Sequence, residues 1–114
     1  MTTRQIALRL IEMCKEKKFS KARKELYAEN AISMEADNKV IEGLKAMDEK
    51  EKNWHSSIQE IHDIKFSKPL INGNFFSIAI SWDLSYKGKE RGGWKEIAVF
   101  EVKDQKVVLE KFYY

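Results

Sequence analysis

The sequence predicts a two-layer α+β domain in which N-terminal helices pack on a curved antiparallel sheet. Apolar residues recur at three- and four-residue spacings in the first half of the chain, as in amphipathic helices, and alternate with polar residues in most of the second half, as in strands. The later strands are joined by short connections, which suit antiparallel neighbours. Segregated helices and strands of this kind are typical of an α+β fold.

Length and composition predict one ordinary globular domain over residues 1–114. The chain of 114 residues can form one hydrophobic core but is too short for two, and its 43% hydrophobic content excludes a disordered chain. No apolar run approaches the roughly 18 residues that span a bilayer, and the N-terminus lacks the apolar stretch of a signal peptide. We therefore expect a cytoplasmic protein without a membrane partner.

The charge pattern argues against a nucleic-acid partner. A net charge of +3 is divided between 21 basic and 18 acidic residues, so both signs are abundant. A basic run occupies residues 15–24 (KEKKFSKARK), but surfaces that follow phosphates usually carry more basic residues or exposed aromatic ones between them. We interpret this run as a solvated helix end and loop.

The spacing of apolar residues predicts three helices. The first covers residues 4–18, with Thr2 or Thr3 as its cap, and the second covers residues 21–28, with Ser20 as its cap. Gly43 opens the third helix. Its core face carries Leu44, Met47 and Trp54, and its polar side carries Lys45, Asp48, Glu49, Lys50 and Lys52.

The positions of the strands are predicted from the alternation of apolar and polar residues and from residues that favour turns. Brief strands are expected at 31–35 and 39–41, and a long strand at 56–66 whose broken alternation indicates a bulge. Pro69 and the pair Asn72-Gly73 predict a reversal into a regular strand at 74–87. Two further strands, 94–102 and 107–114, complete the predicted meander.

Several short segments, in this order, resemble the SnoaL-like branch of the nuclear transport factor 2-like superfamily. They are LYAENA at 26–31, Gly43 at the start of the third helix, VFEVKD at 99–104 followed by Lys106-Val107, and the closing FYY at 112–114. The resemblance covers nearly the whole chain. It implies a cone-shaped domain of the cystatin-like type that encloses a mostly apolar pocket, and frequent homodimers formed through the outer face of the sheet.

The resemblance implies no single reaction, because members of the superfamily include a polyketide cyclase, a steroid isomerase, dehydratases and transport adaptors. Alignment with the ketosteroid isomerase branch places that enzyme's catalytic aspartate at or next to Glu35. Its oxyanion-hole tyrosine would fall near Ile11 and its protonated acid near Ile97 or Ala98. Those partners are missing from this sequence, which argues against isomerase activity.

Three carboxylates are candidate catalytic residues. Glu35 is either a proton shuttle with a pKa raised by an apolar cavity or a solvated turn residue. Asp83 lies on the small-residue face of its strand, where it either enters the cavity or is solvated or at a dimer contact. Glu96, in line with Trp94 and Ala98, either enters the pocket or lies at its wet mouth.

The aromatic residues outnumber what so small a core requires, so some should line a cavity or an interface. The candidate ligand-binding residues are Tyr27, Met34, Leu44, Met47, Trp54, Trp94, Phe100 and Phe112. Packing alone could also account for these side chains.

The remaining reactive residues predict neither a metal nor a cofactor. His55 and His62 are expected in one strand, seven residues apart and on opposite faces unless a bulge resets the register. Each is either a general base or a histidine satisfied at a strand edge or in the core. Cys14, among apolar residues, is expected to be a packing residue.

Two function classes fit these patterns. The first is a SnoaL-like dimer that binds a small, largely apolar organic molecule, with acid–base chemistry of the isomerase, cyclase or dehydratase type. The second is a non-catalytic module that binds a metabolite or docks another protein. An enzyme requires at least one of the three carboxylates in the cavity, whereas a binding module can leave all three in solvent.

Overall fold

The computed structural model describes residues 1–114 and contains three helices and seven strands. In chain order they are α1 (Thr3–Lys15), α2 (Phe19–Leu26), β1 (Tyr27–Met34), β2 (Val40–Glu42), α3 (Leu44–Ser57), β3 (Ile58–Phe66), β4 (Leu70–Asn72), β5 (Phe75–Tyr86), β6 (Arg91–Lys103) and β7 (Lys106–Tyr113). The predicted α+β fold and the predicted order of elements are confirmed. None of the helices has the length and apolarity that crossing a membrane requires.

The seven strands form one sheet in the order β2-β1-β7-β6-β5-β3, with β4 also paired to β5. The predicted antiparallel meander is present in β3, β5, β6 and β7. However, β1 runs parallel to β7, so the sheet is mixed and the expectation of a wholly antiparallel sheet was wrong. Alternation within a strand defines its faces, but it carries no information about a partner that lies far away in the chain.

The two N-terminal helices lie close to their predicted positions. Thr2 caps α1 through a capping box with Gln5. The start of α2 was predicted wrongly, because the helix begins at Phe19 and Ser20 lies inside its first turn rather than capping it. The Ser20 hydroxyl instead donates to Asp48 of α3 at 3.2 Å, and the helix ends before Tyr27, which opens β1.

Gly43 precedes α3 with a φ of 91°, a backbone conformation that side-chain-bearing residues rarely adopt. The helix continues to Ser57, so His55 belongs to α3. The prediction that His55 lies in the following strand was wrong. His62 does lie in β3. The boundary was missed because the polar residues before Ile58 fit the end of an amphipathic helix as well as the start of an exposed strand.

The sheet is bent by the irregularities that the broken alternation of β3 predicted. Its pairing with β5 shifts register between Ile58 and Glu60 and again between Ile61 and Asp63. The helices pack on one face of this curved sheet, and the core lies between the two layers. At its centre Phe76 and Phe100 stack across β5 and β6 with ring centroids 4.5 Å apart, a contact that contributes about 0.5–1.5 kcal/mol beyond the buried area.

Candidate functional site

A cavity of about 630 Å³ lies between the helices and the sheet. This volume is within the range of small-molecule sites, and 16 of the 25 lining residues are hydrophobic. Tyr27 and Phe100, at one end, are almost fully buried, whereas Tyr114, at the other end, is 67% exposed. The cavity is therefore closed inside the domain and open at the end where β7 finishes.

The closed end contains a buried carboxyl group, Glu110, which is only 8% exposed. Strand register sets its position, because Glu110 pairs with Phe100 on β6 and with Ser33 on β1. The Ser33 hydroxyl donates to Glu110 Oε2 at 3.0 Å. Tyr27, also buried, directs its hydroxyl towards the same carboxyl group.

Burial raises the pKa of Glu110 above its ordinary value, although hydrogen bonds from Tyr27 and Ser33 and the charges of Arg23 and Lys50 act in the opposite direction. Burial also raises the pKa of the Tyr27 hydroxyl, and the neighbouring Glu110 adds to this effect. Tyr27 and Ser33 direct their hydroxyl groups to Glu110, and a protonated carboxyl group can itself donate a hydrogen bond. The closed end can therefore bind a hydrogen-bond acceptor, such as a carbonyl oxygen.

All three tryptophans of the chain line the cavity. Trp82 and Trp94 form a cross-strand pair and stack at 5.6 Å, and Trp54 of α3 meets both rings nearly at right angles. Tyr86 extends the stack against Trp94 and accepts a hydrogen bond from the Trp54 indole at 3.3 Å. Together these four rings form a rigid aromatic wall, because each ring is held by a neighbouring ring or a hydrogen bond.

Glu96 holds two of these rings in place. One of its carboxylate oxygens accepts a hydrogen bond from the Trp82 indole and the other accepts one from the Trp94 indole, each at 3.2 Å. Glu96 lies four residues from Phe100 along β6, which is roughly 13 Å at about 3.3 Å per residue. The cavity is thus elongated, with one carboxylate beside the aromatic wall and the buried carboxyl group of Glu110 at the closed end.

The mouth is formed by Glu35, Lys50 and Tyr114. Lys50 Nζ forms an ion pair with Glu35, and the Tyr114 hydroxyl donates to Glu35 Oε2 at 3.0 Å. Partial burial lowers the pKa of Lys50, while Glu110 and Glu96 act to raise it. An amine and a carboxylate therefore lie side by side where a ligand would enter.

Arg23 is a second cation on the cavity wall, and its charge is already balanced. Its side chain is 15% exposed and forms ion pairs with Asp48 and Glu51 of α3. Hydrogen bonds to both carboxylates raise the pKa of Arg23 against the opposing effect of burial. We therefore assign Arg23 to joining α2 and α3 at the cavity wall rather than to binding a ligand.

The family follows from comparison with known proteins. The model of the SnoaL-like domain matches residues 1–114, the whole of the chain. This chain belongs to the SnoaL-like family. The residues that carried the resemblance in the sequence, from the LYAENA segment to the closing FYY, thus identified the family correctly.

Solved structures support the same fold for this SnoaL-like protein. A candidate SnoaL-like polyketide cyclase from Mesorhizobium loti is 29% identical, with both chains covered completely and a TM-score of 0.92. A nuclear transport factor 2-like protein of unknown function from Burkholderia pseudomallei is 10% identical, with 100% of this chain and 92% of that chain covered and a TM-score of 0.85. A cystatin-fold protein from Novosphingobium aromaticivorans is 12% identical, with coverage of 100% and 99% and a TM-score of 0.82. A search of curated proteins finds no match.

The structure brings most of the predicted ligand-binding residues of this SnoaL-like protein together. Those that line the cavity are Tyr27, Met47, Trp54, Trp94, Phe100 and Phe112. Met34 and Leu44 are outside the lining of this cavity. Met34 lies between Ser33 and Glu35, which both line the cavity, so alternation along β1 directs Met34 to the other face. Leu44 packs against the hydrophobic core instead.

Of the three candidate carboxylates, Glu35 and Glu96 line the cavity and Asp83 does not. Asp83 lies on the outer face of the sheet and pairs with Arg91 through two hydrogen bonds of 2.9 and 2.6 Å. This pairing lowers the pKa of Asp83. The outer placement was the other alternative that the sequence left open for this residue.

The histidines and the cysteine lie apart from one another. His55 packs edge-on against Trp54, with ring centroids 5.0 Å apart, behind the cavity lining. His62 contacts the Ser85 hydroxyl at 2.7 Å and lies 3.3 Å from Glu60 on the strand pair β3–β5. Cys14 lines the cavity, and burial raises the pKa of its thiol to about 12. No three His, Cys, Asp or Glu residues are grouped so that they could hold a metal ion.

Sequence reasoning missed Glu110 and Lys50. Glu110 precedes Phe112 by two residues, so strand alternation places both side chains on one face. The sequence therefore contained the information needed to place Glu110 on the cavity face. Lys50 was assigned to the polar side of α3, but it lies three residues after Met47 and four before Trp54, which is the same helix face. Both were overlooked because charged residues are usually placed in solvent.

The basic run at 15–24 contributes to a shallow groove between α1 and α2. The groove is lined mostly by charged side chains, namely Arg9, Glu16, Lys18, Lys21, Lys24 and Glu25, with Met13 as its one hydrophobic residue. Arg9 forms an ion pair with Glu25, and Lys18 forms one with Glu16. These features are typical of a solvated helix surface.

Proposed function

We propose that this SnoaL-like protein binds a small, flat, largely apolar organic molecule that carries a carbonyl group, and that it transfers a proton to or from that molecule. The observation that carries the proposal is a buried carboxyl group, Glu110, at the closed end of a cavity whose wall includes all three tryptophans. Such a cavity offers aromatic surfaces for stacking and one site for an oxygen atom.

The two carboxyl environments suggest a division of roles. Glu110, with its raised pKa, is suited to donate a hydrogen bond or a proton to the carbonyl oxygen. A carboxylate nearer the mouth, Glu35 or Glu96, is then the acceptor for a proton on the adjacent carbon. Groups whose environments differ in this way are typical of acid–base pairs in enzymes. Asp83 takes no part, because it lies on the outer face of the sheet.

The Mesorhizobium loti protein is named both as a candidate SnoaL-like polyketide cyclase and as a carbohydrate phosphatase, and the first of these names supports this ligand class. Polyketides carry carbonyl groups whose neighbouring carbons lose protons readily, which is the chemistry proposed for this cavity. The name of a similar protein supports only the class of ligand and leaves the individual compound open.

Proton transfer can be tested without the natural substrate. The probe is 2-tetralone, a bicyclic aromatic ketone, whose α-protons exchange for deuterium in deuterated buffer and can be followed by proton NMR. We expect the protein to accelerate this exchange above the buffer rate, and Glu110→Gln to reduce the acceleration roughly a hundredfold or more. Glu90→Gln, at an exposed position, is the matched control and should retain the acceleration.

Equal exchange rates for Glu110→Gln and the unchanged protein would rule out this role for Glu110. Exchange at the buffer rate in every sample, together with measurable binding of 2-tetralone, would favour the non-catalytic alternative. The variants Glu35→Gln and Glu96→Gln then identify the proton acceptor, because only the residue that takes the α-proton should lower the rate as strongly as Glu110 does.

We also propose that two copies of the chain associate through the outer face of the sheet. Phe75, Ile97 and Tyr113 are apolar residues on three neighbouring strands, each 44–50% exposed, and Ile97 pairs directly with Tyr113. Light scattering should give twice the monomer mass of 13.4 kDa at micromolar concentration. Ile97→Lys should give the monomer, whereas Val40→Lys, an exposed position on the edge strand β2, should leave the dimer intact. A monomeric mass for the unchanged protein would refute the proposed dimer.

A further inference from the structure

Lys50 is the one cation on the cavity face of α3, where its ammonium group pairs with Glu35 at the mouth. Its neighbours on this face, Met47 and Trp54, contribute packing to the core and to the aromatic wall. A side chain directed only to solvent would be expected on the opposite face, with Lys45 and Lys52. The placement of Lys50 between two cavity residues therefore brings an amine to the surface that a bound ligand would meet.

The surroundings of Lys50 favour a neutral amine more than those of a surface lysine do. Its side chain is 42% exposed, so part of the stem lies against the protein, and this burial lowers its pKa. Glu110 and Glu96, which line the same cavity, act in the opposite direction and raise the pKa of Lys50, but burial has the larger effect. Arg23 is cationic too, but a guanidinium group remains protonated and cannot act as a nucleophile.

A proton acceptor is already in place. Glu35 forms an ion pair with Lys50, and the Tyr114 hydroxyl holds Glu35 from the other side. Glu35 can therefore take the proton of the Lys50 ammonium group and later return it. Because the pair lies at the mouth, a released water molecule could leave the cavity directly.

We propose that Lys50 is a nucleophile that forms an imine with an aldehyde or ketone whose carbonyl group lies at the mouth of the cavity. This is a different placement of the carbonyl group from the one in which its oxygen meets Glu110 at the closed end. Once Glu35 has taken one proton of the ammonium group, the neutral amine attacks the carbonyl carbon. A carbon–nitrogen bond forms, the carbon–oxygen π bond breaks, and one proton of the attacking nitrogen moves to the oxygen. Glu35 then returns its proton to the hydroxyl group of this adduct, the carbon–oxygen bond breaks, and water leaves as the protonated imine forms. The step consumes one carbonyl compound, releases one water molecule and needs no oxidant or cofactor. This inference rests on the proposed function, since it assigns a chemical class to the ligand of the same cavity.

Reductive trapping tests the imine. The protein is incubated with 2-naphthaldehyde and sodium cyanoborohydride, which reduces an imine to a stable secondary amine, and the modified lysine is located by peptide mass spectrometry. We expect Lys50 to be labelled at least about tenfold faster than Lys52, an exposed lysine of the same helix that serves as an internal control. Lys50→Arg should remove this fast labelling, and Lys52→Arg should leave it unchanged. Glu35→Gln should slow the labelling without abolishing binding.

Quenching of tryptophan fluorescence by 2-naphthaldehyde, measured in the same samples, separates the two proposals, because every tryptophan lies on the cavity wall. Quenching with preferential labelling of Lys50 supports the imine. Quenching with equal labelling of Lys50 and Lys52 overturns the imine and leaves the binding proposal standing. If neither quenching nor preferential labelling is observed, both proposals are overturned. Because the internal comparison is made in the unchanged protein, the test holds even if Lys50→Arg fails to fold.

Discussion

Ser33 and Glu110 lie 77 positions apart in the chain, yet they are partners in the parallel pairing of β1 with β7, and the Ser33 hydroxyl donates to Glu110 Oε2 at 3.0 Å. This pairing carries a carboxyl group into the hydrophobic core. It also links the fold to the site, because the strand that closes the sheet supplies the buried acid of the cavity. The free energy of unfolding should therefore depend on whether Glu110 is ionised.

Replacement of Glu110 by Gln should change how stability depends on pH. Burial raises the pKa of Glu110 in the folded state above its ordinary value of 4.5, so the folded protein retains a proton that the unfolded chain has lost. Folding then takes up a proton, and stability falls as pH rises above 4.5. The expected slope is up to about 1.4 kcal/mol per pH unit, and it ends once the pH exceeds the folded-state pKa. Urea unfolding at several pH values, roughly between pH 5 and 7, measures the slope for both proteins.

Glu110→Gln should show a flatter profile over this range, since Gln does not titrate. Glu90→Gln, which alters an exposed carboxylate, should retain the slope of the unchanged protein. If Glu110→Gln and the unchanged protein had parallel profiles, Glu110 would be ionised in the folded state, and its assignment as the acid of the cavity would be wrong.

Replacement of Glu96 by Gln should release one indole of the aromatic wall. The carboxylate accepts hydrogen bonds from both Trp82 and Trp94, whereas the amide of Gln has a single acceptor oxygen and a donor group. One indole N–H would then face another donor. We expect one of the two indole signals to move in a nitrogen–proton correlation spectrum, with a loss of stability of about 1 kcal/mol. Unchanged indole signals would show that Glu96 does not hold these rings in solution.

Gly93 should be intolerant of any side chain. A β-carbon built at Gly93 would lie 1.9 Å from the Trp82 carbonyl oxygen, which belongs to the backbone of the neighbouring strand and cannot move aside. Gly93→Ala should therefore lower the free energy of unfolding by about 1–3 kcal/mol and loosen the Trp82–Trp94 pair. Gly92→Ala is the matched control, because a β-carbon there meets nothing within 4 Å. Equal stabilities of the two variants in urea would contradict the close approach of the strands at Gly93.

Two arginine ion pairs should differ in their contribution to stability because they differ in burial. The side chain of Arg23 is 15% exposed and joins α2 to α3, whereas that of Arg91 is 61% exposed and pairs with Asp83 on the outer face. Arg23→Met should destabilise the protein by about 2 kcal/mol, since it removes the arginine partner of Glu51, whose side chain is only 21% exposed. Arg91→Met should cost about 0.5 kcal/mol or less. Thermal or urea unfolding measures the stability of both variants. A larger loss of stability for Arg91→Met than for Arg23→Met would contradict the view that the buried ion pair contributes more.

Much of the fold could be predicted because local chemistry specifies it. Gly43 at the start of α3, the turn at Gly73 and Asn74 and the alternation that follows it each have a short-range physical cause. The parallel pairing of β1 with β7 has no local signal, since its partners are as far apart as Ser33 and Glu110. Strand faces can be predicted from one segment, but strand partners depend on how the whole sheet closes.

Most of the residues named from the sequence line the cavity, including the carboxylates Glu35 and Glu96, but two charged residues of the lining, Glu110 and Lys50, were missed. Trp94, Phe100 and Phe112 were placed in the cavity by alternation, and they lie there. Glu110 and Lys50 occupy the same faces by the same spacing rules, but a carboxylate or an amine at such a position is more often solvated. Ser33 and Tyr27 stabilise Glu110 in the core, and they come from the segment whose pairing the sequence could not specify.

The central claim is that the cavity binds a flat organic molecule against its aromatic wall, and the three indole groups test it most directly. Their N–H groups give three separate signals in a nitrogen–proton correlation spectrum, and all three tryptophans line the cavity. On titration with 2-tetralone we expect the signals of Trp54, Trp82 and Trp94 to shift together and to saturate with one dissociation constant. Indole signals that stay in place at saturating 2-tetralone, while signals from exposed residues such as Lys21 or Glu90 move, would contradict the account.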